Sequence, residues 1–100
     1  MGIMPLKLTD STLNAAVQSL DGWTIADGKL HKEFVFADFV HAFGFMATAA
    51  IAIEKADHHP EWCNVYNRVR VDLTTHDAGG ISQKDLDLAK LLDSFAKKLQ

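Results

Sequence analysis

From Asp38 to about Lys55 the chain reads DFVHAFGFMATAAIAIEK, a segment apolar almost all round when wound as a helix. His41, Gly44, Thr48 and Lys55 form one narrow non-apolar stripe at helical spacing. A helix with so wide an apolar surface has to be covered on two sides, most simply by a sheet of its own chain and by another subunit. Its small residues, Ala47, Ala49, Ala50 and Ala52, let a neighbour approach closely. With 100 residues, 48% hydrophobic and 23% charged, the chain has material for one core, so a single domain over residues 1–100 is expected. A domain this small buries a modest fraction of its surface, and association hides more.

The flanking segments supply the sheet. Leu13, Ala16, Val17 and Leu20 recur at helical spacing after the cap candidates Thr9, Asp10 and Ser11, and Gly22 offers a stop. Trp23–Ala26 and Lys29–Phe36 flank Asp27-Gly28, which favours the two-residue hairpin turn, with Leu30, Lys32, Phe34 and Phe36 on one face. Pro60 closes the helical stretch. Glu61–Val65 and the alternating Val69, Val71, Leu73 make a second hairpin around Tyr66-Asn67. After Gly79-Gly80, Ser82 with Asp85 resembles a capping box opening a last helix whose core face is Leu88, Leu92, Phe95 and Leu99. Helix, hairpin, helix, hairpin, helix predicts a two-layer α+β domain with a four-stranded antiparallel sheet and helices packed on one face.

A formal net charge of −3 supplies no basic field for a phosphate backbone, so direct nucleic acid binding is not expected. The lone Cys63 has no disulfide companion and points to a reducing, cytoplasmic compartment. Met1–Asp10 lacks the apolar run and cleavage site of a secretory leader, Leu6 stands where a myristoylation motif at Gly2 wants Ser or Thr, and no membrane association is expected.

The chemistry concentrates in Asp57-His58-His59-Pro60-Glu61-Trp62 and Thr74-Thr75-His76-Asp77, which place three of the five histidines at element ends beside loops. Adjacent His58 and His59 point in different directions, so one can line a pocket while the other orients it. Strand alternation puts His76 on the accessible face, away from Val69, Val71 and Leu73. Histidine exchanges protons near neutral pH, and Glu54, Asp57 and Asp77 are close enough in sequence to tune or orient it. The competing structural reading makes the pair a solvated helix cap and His76 a strand-end residue. Three imidazoles and a carboxylate also resemble a zinc ligand set, but the spacing lacks the HxxxH or HxH arrangement, so no metal is expected. Cys63 reads as a small buried apolar residue, His31 as a polar strand residue, and His41 as part of the helix's polar stripe. Trp62 serves either to stack on a flat heterocycle or to pack, and Asp85 either to support a helix start or to reach the histidines.

In FVFADFVHAFGFM, EKADHHPEW, NVYN, LTTHDAGG and SQKDLDLA the chain resembles the pterin-4a-carbinolamine dehydratase family, which also includes the dimerisation cofactor of a homeodomain transcription factor. That resemblance implies a cofactor-free hydro-lyase acting on a small-molecule pterin. It implies dimers that join their sheets and tetramers built through the middle helix. It further implies that His58, His59 and His76 are catalytic, that Asp57, Pro60, Thr74, Thr75 and Asp77 shape the pterin site, and that Glu54, Trp62 and Asp85 support it. The alternative within the same family is a module that presents the apolar middle helix to a protein partner.

Overall fold

The computed structural model describes residues 5–100, so the readings at Gly2 and over residues 1–4 lie outside the described residues. The chain runs α1 (Asp10–Gln18), β1 (Thr24–Ala26), β2 (Lys29–Val35), α2 (Phe39–Ala56), β3 (Glu61–Val65), β4 (Arg68–Leu73), a 3-10 turn (His76–Ala78) and α3 (Gln83–Leu99). The expected order holds. The first hairpin is shorter than its pattern suggests: Trp23 and Phe36, read as strand ends, are turned into the core beyond the ladder.

All strand pairs are antiparallel, in the order β1-β2-β4-β3. The two hairpins therefore meet through β2 and β4, from Leu30 opposite Leu73 to Val35 opposite Arg68. Alternation then sorts the faces. Leu30, Phe34, Val69, Val71 and Leu73 are buried beneath the helices. His31 and Asp72 (2.8 Å) and Glu33 and Arg68 (2.6 Å) pair on the open face. Lys32 falls on the apolar face, where its stem packs and its Nζ reaches the Asp93 carboxylate of α3 at 2.8 Å, 4.8 Å from the Phe34 ring centroid.

Cys63 is a correction. It is exposed on β3, because Trp62 and Asn64 take the two inward positions and a residue between them must face the other way.

One stripe of α2, Ala42, Phe45, Ala49 and Ile53, is buried against this sheet. Phe45 lies 4.9 Å from Phe34, 5.1 Å from Phe36 and edge-on to Trp62 at 6.5 Å. On the opposite side Val40, Phe43 and Ile51 are 74%, 54% and 76% exposed. By length and composition alone α2 could cross a membrane, yet its buried stripe makes it the second layer of the domain. Glu61, at the start of β3, pairs with Asp72, near the end of β4, and Lys29 at the start of β2 meets Glu61 at 2.7 Å. One end of the sheet therefore gathers the loop after α2, the loop after β4 and the start of α3.

Candidate active site

Asp57 follows α2 in the left-handed conformation, φ 52, which an aspartate tolerates better than most residues. Its N–H donates to the Glu54 carbonyl at 3.1 Å, and the His58 N–H returns to the Ile53 carbonyl at 3.4 Å. This reversal closes the helix and separates the two histidines. His58 turns inward. His59 turns out, its Nε2 2.9 Å from the Glu54 carboxylate, with both side chains exposed.

His58 meets the first turn of α3. Its Nε2 lies 2.6 Å from Asp85 Oδ1, and its side chain is 12% exposed. Asp85 is fully buried. Its Oδ2 accepts from the Thr75 hydroxyl at 2.7 Å and from the Ser82 N–H at 2.9 Å, and the Thr75 and Ser82 hydroxyls contact each other. The capping box expected at Ser82 and Asp85 is present, but the same carboxylate also holds a histidine and a threonine. A buried carboxylate needs such company, because an unpaired one is costly. One side chain therefore both caps α3 and contacts His58.

Thr75 exchanges backbone hydrogen bonds with Gly80, N to O at 2.9 Å and O to N at 3.3 Å, which staples the base of a small loop. Gly79, φ 74, supplies the left-handed step that lets the loop close. His76 and Asp77 ride on the turn with exposed side chains, so the expected accessibility of His76 is met, although on a 3-10 turn and not on the strand. Thr74 and Pro60 are half-buried flanking residues. Trp62 is half-buried and packs on Phe45, which is its structural role.

Asp85 and Thr75 thus join the His58 loop to the segment carrying His76. Asp85 is buried behind His58, with both carboxylate oxygens occupied. Ser82 was legible only as a helix cap. Sequence reasoning also missed a recess of about 170 Å³ beside His58, lined by Ala56, Lys84, Asp87, Leu88 and Leu91. Its signal was the i, i+3, i+4, i+7 spacing of the α3 residues. Among the described residues no three His, Cys, Asp or Glu side chains converge as a metal ligand set.

Residues 6–95 match the family model described as pterin 4 alpha carbinolamine dehydratase. A provisionally named pterin-4-alpha-carbinolamine dehydratase of Solibacter usitatus is 56% identical over 93 residues, 93% of this chain and 98% of that protein. One from Rhodopseudomonas palustris is 51% identical over 98 residues, 96% of this chain and 97% of its own length. The crystal structure of a transcriptional coactivator/pterin dehydratase from Brucella melitensis superposes with a TM-score of 0.86 at 48% identity, covering 90% of this chain and 98% of that one.

Proposed function

Since the chain belongs to the pterin-4a-carbinolamine dehydratase family, we propose that it removes water from a 4a-hydroxytetrahydropterin by histidine acid–base chemistry. The observation that carries this reading is the short bond from solvent-reaching His58 to fully buried Asp85. A histidine anchored by a carboxylate keeps one ring orientation and can pass a proton at the other nitrogen.

Elimination breaks the C4a–O bond while the N5–H proton leaves, and a C4a–N5 double bond forms. The hydroxyl departs as water after taking a proton from an acid, and a base receives the N5 proton, so charge balances. In our assignment His58 and His76 act as acids toward the hydroxyl, and His59 positions the ring and helps remove the nitrogen proton. Glu54, bonded to His59, orients it. Asp57, Pro60, Trp62, Thr74 and Asp77 border the bound pterin, while Thr75 and Asp85 act from behind. The product is the quinonoid dihydropterin. No metal or organic cofactor is invoked.

Single-turnover decay of the carbinolamine absorbance tests this: purified protein should accelerate the decay well above buffer. A folded protein no faster than buffer would sink the enzyme reading.

Exposed Phe39, Val40, Phe43 and Ile51 on α2 support a second reading, in which the helix presents a docking face to a protein partner, in keeping with the coactivator named in the Brucella structure. In either case we place the protein in the cytoplasm as a homodimer or homotetramer.

A further inference from the structure

The hydroxyl groups behind His58 form a chain whose direction can be worked out by counting hydrogens. Thr75 has one hydroxyl hydrogen, and it is donated to Asp85 Oδ2 at 2.7 Å. The contact between the Thr75 and Ser82 oxygens must then be filled by the Ser82 hydrogen. Ser82 Oγ in turn accepts the Lys84 N–H at 3.3 Å. Thr75, Ser82 and Asp85 are 4%, 1% and 0% exposed, so bulk water has little access to reverse the order. Two donors on Oδ2, together with a place in the first turn of α3, suit a carboxylate anion at Asp85. An anion has no hydrogen to offer, so the ring nitrogen 2.6 Å from Oδ1 must carry one.

We infer that Thr75 and Ser82 are positioning residues that hold Asp85 as a one-way acceptor, so that neutral His58 is fixed as the Nε2–H tautomer and Nδ1 is the nitrogen that takes up the proton which the imidazolium then gives to the departing hydroxyl. This rests on the proposed dehydratase reading and names the working atom within it. The positioning is indirect: the Thr75 hydroxyl acts through the Asp85 carboxylate, and the Ser82 hydroxyl acts one step further back, through Thr75. Lys84 and Asp87 are the charged α3 side chains that line the recess with His58.

Nitrogen-15 spectra of the whole protein, at a pH where imidazole is neutral, report the tautomer of His58 without any substrate. Wild type should show Nε2–H. In Asp85→Asn the Thr75 hydroxyl and Ser82 N–H keep the amide oxygen at the Oδ2 position, so the amide NH₂ faces His58 and its Nε2 must accept. That variant should flip to Nδ1–H and lose about 10²–10⁴-fold in turnover. Thr75→Ser should retain the wild-type tautomer and rate, whereas Thr75→Val should lower turnover about tenfold or more and admit some Nδ1–H form. An Nδ1–H signal in wild type, an Asp85→Asn protein still in the Nε2–H form, or a Thr75→Val protein unchanged in both readouts would each overturn the assignment. Because the spectra need no turnover, a wild type without dehydratase activity would end the proposed reaction and leave the hydrogen-bond chain standing.

Discussion

Under the proposed mechanism, replacing His58, His59 or His76 by Ala removes a proton-transfer group, and each is expected to lower single-turnover dehydration by about 10²–10⁴-fold while circular dichroism remains native. His59 and His76 are exposed, so their loss should leave stability within about 0.5 kcal/mol of wild type. Asp85 behaves differently. Truncation to Ala strands the Ser82 N–H, the Thr75 hydroxyl and the His58 ring in a buried site. A cost of about 1–3 kcal/mol per abandoned donor follows, and urea denaturation should show a clear loss. Glu54→Gln, in an exposed pair with His59, should instead leave the urea midpoint nearly unchanged and act on rate alone. Equal destabilisation by the two substitutions would refute the division between a buried anchor and an outer orienting group.

At the scale of the element, α2 is held at both ends by aspartates with opposite tasks. Asp57 ends it by adopting the left-handed conformation. Asp38 begins it: Oδ1 accepts the His41 N–H at 2.9 Å and contacts the His41 ring at 2.6 Å. Donation from that backbone N–H, then from the ring, holds the Asp38 carboxyl below the ordinary aspartate range. A group depressed on folding contributes in full above its unfolded value, and the contribution fades as pH falls through the lower folded value. The His41 amide resonance should therefore titrate in acid with a midpoint below that of a free aspartate, and Asp38→Ala should abolish the titration. Along the helix, Ala49 is fully buried and Ala47 exposed. Ala49→Glu puts a charge into the core and should unfold a domain whose whole stability is about 5–15 kcal/mol, whereas Ala47→Glu should remain folded.

For the molecule as a whole, the open apolar side of α2 leads to an expected homo-oligomer. Light scattering at micromolar concentration should give a mass of two or four chains, and Ala47→Glu or Ala50→Glu should reduce it. A stable monomer, or unchanged mass in both variants, would move the interface off this helix. The sheet offers a second means of association. Its order leaves β1 and β3 as edges, and a longer ladder is available at the five-residue β3 than at the three-residue β1.

The amino-acid sequence alone set the order of elements, the antiparallel hairpins, the apolar helix too wide for one sheet, and the placing of the His58-His59 pair and the single His76 at element ends. These are local properties: side-chain spacing of 3.6 or 2, a left-handed turn at Asp27-Gly28, a cap at Ser82. The quoted motifs carried the family. What spacing could not reveal was that Asp85 lies against His58, 27 residues away, and against Thr75. It could not rank His58 above His59 as the anchored ring, and it misjudged Cys63, whose orientation depends on a single step of strand register. Only the tertiary structure decided these points, because a long-range hydrogen bond exists only once the sheet has brought two loops and a helix start to the same end.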